Sequence, residues 1–323
     1  MTKRFLMHKR LILVIVWLIL VILSLRIGVL DFTFKKLFSG DLEAQEVLLV
    51  SRIPRTVSII IAATGMSIAG LIMQSISRNR FISPTTAGTT DAAILGLLLG
   101  YLLFNHLNIY QKTLIAFAFS LLLTGLFLMI LRRIRFKNVI YVPLLGMMYG
   151  ALISALSTFI AHRYQASQFL STIGVGGFHH LAQGTYELLY IIVPVLIVAY
   201  LYANKFSIAV LGEDFAKNLG VSYQTVTIVG LVIIAMVSSL TFVTVGMLPF
   251  IGLVVPNLVS IYYGDHVKKT MIDIALFGSA FVLLNDIISR LVVKPYEVPV
   301  SFTMGITGAV IFIWLIFRRM KRG

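Results

Sequence analysis

Few residues in this chain can do chemistry, and their spacing limits what each can do. In IAVLGEDFAKNLGVSYQTV, residues 208–226, Glu213 and Asp214 stand side by side. The sequence holds 12 acidic residues against 27 Lys and Arg, so an adjacent pair of acids calls for an explanation. At helical spacing Leu211, Phe215, Ala216 and Leu219 share one face, with Glu213, Asp214, Lys217 and Asn218 elsewhere. The two acids fall in the first turn, where the helix dipole favours them, and Gly220 supplies a stop. A helix this short is marginal alone in water and needs a surface to dock on.

Other charges lie inside apolar runs, where each costs about 2.5–3.5 kcal/mol at a helix centre. Asp286 and Arg290, in LLNDIISRL, are four residues apart and share a helix face, which suits a pair. Arg52 and Arg55, in SRIPRT, flank a proline at a natural first-turn position. They either anchor the helix by snorkelling or meet an acidic partner. Asp91 opens another apolar run. His179 and His180, in GVGGFHHLAQG, either touch a metal complex or shape a loop. The sequence contains no GxxxxGK[ST], no HExxH and no cysteine, so nucleotide, zinc-protease and thiolate chemistry have no motif here. Serine nucleophiles lack a base, and no paired-aspartate motif marks an intramembrane protease.

The elements that position these residues are membrane helices. The 323 residues are 59% hydrophobic and 12% charged, against about 25% charged in a soluble domain. The mean hydropathy is +0.98. An all-α polytopic membrane protein of about ten transmembrane helices follows. The spans are predicted at 11–30, 53–74, 86–104, 112–132, 139–161, 187–203, 225–246, 249–263, 271–290 and 299–317. The eighth, with LPFIGLVVPNLV, is too short and too rich in Gly and Pro for a simple span. The first run lacks a small-x-small cleavage site and reads as an uncleaved helix. The whole of 1–323 is expected to be one transmembrane domain.

With the N-terminus inside, the inside segments hold 18 of the 27 Lys and Arg. This bias places both termini in the cytoplasm and explains most of the +15 net charge as topology, so nucleic acid is not an expected partner. It also puts the 212–220 segment on the cytoplasmic face. Two acids there disfavour an anionic leaflet, and a cytosolic protein is the better partner. Small residues crowd the second span (IIIAATGMSIAGLIMQ), and Gly146 and Gly150 have GxxxG spacing in the fifth. They serve close helix packing or line a substrate path. An ion-coupled secondary transporter using Asp91 or Asp286 is the alternative class, although no inverted repeat is visible.

Five ordered motifs resemble the permease subunits of ABC importers for iron-siderophores, haem and cobalamin, the FecCD-type family. They are Arg52-x-Pro54-Arg55; the small-residue helix ending at Gln74 with Asn79 and Pro84; LGE-x-x-A-x-x-LGV from Leu211 to Val221; GMLPFIGLVVPNLV with the later GDH; and ND-x-x-x-R with YEVPV. SRNRFISPTTAGT, LPFIGLVVPNLVSIYYGD and KPYEVPV are most similar to the branch importing catecholate-type ferric siderophores, petrobactin-like systems included. Arg80 and Phe81 replace the usual Pro-Leu, Asn257 the usual His, and Val310 a common Pro.

The resemblance implies a type II ABC importer permease that pairs with a second permease, here a different paralogue, around a central path. Two cytosolic ATPases, carrying ATP and Mg, dock below, and an extracellular or periplasmic siderophore-binding protein docks above. Residues 212–220, with Leu211, Gly212, Glu213, Asp214, Phe215, Ala216, Leu219 and Gly220, correspond to the coupling helix. Arg52, Arg55 and Arg290 correspond to residues that meet acids of the binding protein. The resemblance implies no catalytic residue, cofactor or metal ligand in this chain, and a place in the bacterial cytoplasmic membrane.

Overall fold

The computed structural model describes residues 3–28, 41–104, 106–134, 141–181, 184–293 and 296–320, and these are helical with no strands. The helices are α1 (Lys3–Arg26), α2 (Leu42–Val47), α3 (Ile53–Ile76), α4 (Thr89–Leu103), α5 (Ile109–Arg133), α6 (Tyr141–Arg163) and α7 (Ser167–Ile173). They continue as α8 (Ile192–Leu201), α9 (Ala203–Ala209), α10 (Glu213–Asn218), α11 (Tyr223–Val245), α12 (Ile251–Tyr263), α13 (Val267–Leu291) and α14 (Val300–Met320). Seven helical stretches are long and apolar enough to cross a bilayer, and α8 with α9 makes an eighth, bent by 58°. The two shorter apolar helices, α4 and α12, occupy the remaining predicted spans.

α3 is the central element. It packs against α13, α11, α12 and α8, and its small residues are why it can. Ala62, Ala63 and Ala69 are fully buried. A Cβ on Gly70 would run into the Gly252 backbone of α12, and one on Gly278 of α13 would run into Ser67. Close backbone approach is what a bundle in lipid gains from such residues, because lipid gives apolar side chains no drive to associate.

Two expectations change. The third span, predicted as an ordinary one, is a helix of only 15 residues. At about 1.5 Å per residue it covers roughly 22 Å, short of a ~30 Å hydrocarbon core. The sixth does not run straight over 187–203: a tight 3-10 turn at Glu187–Ile191 leads into α8, and α9 continues at an angle to Ala209. The irregular backbone beside the short helices is covered by protein. Ala87 donates to the Ser83 carbonyl (3.0 Å) and Thr89 to Pro84 (3.2 Å), while Gly177 donates to Val245 (2.9 Å). Non-helical backbone survives at membrane depth only with such partners.

Candidate functional site

Apart from Asp91, the charged residues singled out in the sequence separate to the two ends of the bundle. At one end lie the last residues of α3, the α12–α13 turn and α10. Arg80 donates to Asp265 (2.5 Å) and Ser260 (3.0 Å), and Asn257 donates to the Arg80 carbonyl (2.7 Å). Two of the positions where the sequence departs from the family pattern are therefore in contact. α10 is set between two glycines with positive φ, Gly212 (109°) and Gly220 (70°). A Cβ on Gly212 would also stand 3.2 Å from the Arg78 guanidinium. The Val221 amide donates to the Ala216 carbonyl (2.8 Å) and Gly220 to Lys217 (2.9 Å), the paired bonds of a Schellman stop.

The expected apolar face of this segment divides. α10 packs on α9 and α11, and Ala216 is fully buried in that contact. Leu211, Phe215 and Leu219 point the other way and are 54%, 62% and 59% exposed. Glu213 and Asp214 stand in the first turn, and Glu213 reaches Lys217 at 3.5 Å. The tip of α10 therefore offers three large apolar side chains and two acids, held by a backbone that glycines fix.

At the opposite end the arginines turn inward. Arg55 donates to Asp286 Oδ1 through Nη2 (2.7 Å) and Nε (3.2 Å), and to both Glu297 oxygens through Nη1 (2.8 and 3.0 Å). Arg290 donates to the second oxygen of Asp286 and, through its two terminal nitrogens, to Ser24 O (2.9 Å), Ser24 Oγ (3.0 Å) and Ile27 O (2.5 Å). Arg52 donates to Ile27 O at 3.2 Å. Arg52, Arg55 and Arg290 are all nearly buried, at 4%, 6% and 3% exposure. The Asp286–Arg290 pair was expected from its spacing. That Arg55 shares Asp286, and that Glu297 and Ser24 join the cluster, was not.

Beside this cluster is a cavity of about 580 Å³ lined by Arg52, Arg55, His179 and Glu297. Partial burial and the neighbouring His180 and Arg55 hold the His179 imidazole below its ordinary pKa, against the pull of Glu297 and Asp286. His180 Nε2 lies 2.9 Å from the Thr244 carbonyl, so that nitrogen carries its proton and fixes the loop. Among the described residues no three His, Cys, Asp or Glu side chains group to hold a metal.

A third feature lies between the ends. A cavity of about 370 Å³ is bounded by the turn 83–91, the corner before α12, and α6, and Asp91 lines it. Gly146 and Gly150 of α6 face that turn: a Cβ on Gly146 would strike the Thr86 carbonyl, and one on Gly150 would stand 2.8 Å from Asp91 Oδ2. Phe250, at the corner, is left-handed (φ 63°, ψ −17°), a conformation costing a non-glycine residue about 1–3 kcal/mol.

The FecCD transport family matches residues 14–318 of the chain. The petrobactin import system permease protein YclN of Bacillus subtilis (strain 168) is 46% identical over 305 residues, 94% of this chain and 96% of its own length. The petrobactin import system permease protein FatD of Bacillus anthracis is 39% identical, over 95% of this chain and 90% of its own. The ferric-anguibactin transport system permease protein FatD of Vibrio anguillarum is 37% identical, over 85% and 87%. A solved inward-facing metal-chelate type ABC transporter has the same fold, with a TM-score of 0.77 at 21% identity over 95% of this chain and 97% of that one. Helical architecture, ordered motifs and a match along nearly the whole length agree: the chain belongs to the FecCD transport family, as a transport permease and not an enzyme.

Proposed function

We propose that the chain is the transmembrane permease subunit of an ATP-driven ABC importer that carries a ferric siderophore, of catecholate type, into the cytoplasm. The relatives named for petrobactin and ferric-anguibactin import support the cargo class. The exposed tip of α10 carries the reading. Three large apolar side chains and an acidic pair stand exposed there. Such a tip fits a groove on a soluble protein better than lipid.

In this reading α10 faces the cytoplasm, with both termini, in a bacterial cell membrane. Two ATPase subunits bind the α10 tips of this chain and of a second, paralogous permease, and carry the ATP and Mg that this chain does not. Leu211, Phe215 and Leu219 supply apolar contact area, Glu213 and Asp214 supply charge, and Gly212 and Gly220 hold the presenting turn. An extracellular or periplasmic binding protein delivers cargo to the opposite end. Arg52, Arg55 and Arg290 place three guanidinium groups there against two carboxylates, Asp286 and Glu297, beside an open cavity. That excess of positive charge suits acidic contacts of the arriving protein. Closure of the ATPases shifts a two-state equilibrium of the path from outward to inward, because nucleotide binds the two states unequally. The cargo passes as an intact complex and needs no iron ligand from this chain.

The test is uptake of labelled iron from ferric catecholates by cells from which this gene alone is deleted. Loss of uptake, restored by the gene, is the expected result. Uptake that persists, or that runs on a proton gradient with ATP exhausted, overturns the reading.

A further inference from the structure

We propose that Asp91 is a specificity-determining residue of the transport path, and that the cavity it lines takes a protonated amine or similar cationic group of the cargo. The inference rests on the importer reading above. Asp91 is the only charged side chain among the described residues lining this cavity. It has no ion-pair partner among the described residues. The two fully buried acids, Asp273 and Asp286, by contrast both pair with arginines.

The cavity lies at membrane depth. Its corner joins α12 at Gly252, which packs on Gly70, and Gly70 lies six residues inside the end of α3. That is about 9 Å along the helix. A carboxylate at such depth is costly unless something meets it. No Lys, Arg or His lines the space, while the hydroxyls of Ser83, Thr86 and Ser154 do. An anionic group would find no counter-charge here, and a cationic one would find a carboxylate flanked by acceptors. Charge complementarity of this kind sets which ligand is taken more than how tightly.

Two backbone features show that the space is built. Glycine at position 150 makes room for the carboxylate, since a Cβ there would stand 2.8 Å from Asp91 Oδ2. The left-handed Phe250 forms part of the wall, and its Cβ sits 2.5 Å from where a Cβ on Gly308 of α14 would be. A left-handed aromatic residue persists where its surroundings over-determine it, and such sites gather at ligand clamps and switches. The cavity, about 370 Å³, is at the small end of the roughly 300–1,000 Å³ of ligand sites. It suits one arm of a ferric complex, and α6 exposes Met147, Ala151 and Ser154 at its rim, where the rest of the complex can pass.

The experiment uses the complete importer, with both permeases, ATPase and binding protein, in proteoliposomes. Two ferric catecholates serve as probes, one with a protonatable amine in its backbone and one without. Asp91→Asn is expected to lower ATP-driven uptake of the amine-bearing complex about tenfold or more, and to change the ratio of the two uptakes accordingly. Asp91→Glu, which keeps the charge, is expected to recover most of the ratio. Equal losses for both cargoes, at normal assembly, mean a structural role and overturn the inference, as does an unchanged ratio. A wild-type importer that moves neither complex overturns the importer reading and this inference with it.

Discussion

The two ends of the bundle carry charge in opposite ways. At the end of Arg55, Asp286, Arg290 and Glu297 the charges pair with one another, and all but the partly exposed Glu297 are buried. At the α10 end Glu213 and Asp214 stand outside, and the large apolar side chains beside them are exposed too. One end uses its ionic groups to hold helices α1, α3 and α13 together, with three guanidinium groups against two carboxylates. At the α10 tip Asp214 has no ion pair among the described residues, and Glu213 meets only Lys217 of its own helix. Charge in an apolar chain therefore marks structure or docking according to what surrounds it, and the same sequence contains both cases.

The largest effect expected from breaking this contrast is at Asp286. Asp286→Asn leaves Arg55 and Arg290 buried without their shared anion, and removing one partner of a buried pair costs about 3–5 kcal/mol. Thermal unfolding of the purified chain is expected to shift strongly downward, with a lower yield of folded protein in the membrane. Next is Phe215→Ala, in the exposed tip. A central aromatic anchor is worth about 2 kcal/mol or more in binding, roughly thirtyfold in affinity. Affinity for the ATPase is expected to fall by that factor while the unfolding temperature stays put. If both variants lower stability alike, the contrast between the two ends is false.

The spans were legible because ionic groups are rare and apolar runs long, and α10 because Gly212 and Gly220 bracket it. The Asp286–Arg290 pair was legible from its spacing of four. What could not be read was long-range. Arg55 meets Asp286 across 231 residues of sequence, so nothing local tells a buried arginine from an interfacial one. The side of α10 on which Ala216 lies was misassigned because a six-residue helix takes its orientation from α9 and α11 and not from its own periodicity. The shortness of α4 was hidden because Thr86, Ala87 and Gly88 are small enough to pass for helix in a hydropathy profile.

Smaller effects sharpen the picture at the rim of the buried cluster. Glu297 is 17% exposed and shares Arg55 with Asp286. Glu297→Gln is expected to cost about 1–2 kcal/mol in unfolding, less than Asp286→Asn, because the charge it leaves is still paired. The smallest expected effect is on pH. His179 has a folded-state pKa below its unfolded value, so the unfolded chain binds more protons as the medium acidifies. Stability at this end is complete above the unfolded imidazole value and declines as pH falls through the lowered one. As pH falls from about 7 through the ordinary imidazole value of about 6.5 and below it, a slight fall in unfolding temperature is expected, and His179→Gln should remove it. A rise on acidification contradicts the placement of His179.

In the proposed importer, motion of a separate ATPase enters this chain through the exposed tip of α10. That route is tested most directly by ATP-driven uptake of a ferric catecholate into proteoliposomes holding the whole importer, with Glu213→Lys and Asp214→Lys introduced together. The ATPase is expected no longer to co-purify, uptake to be lost, and the permease itself to unfold at an unchanged temperature. Normal uptake by the double variant, or uptake that follows a proton gradient and ignores ATP, would contradict it.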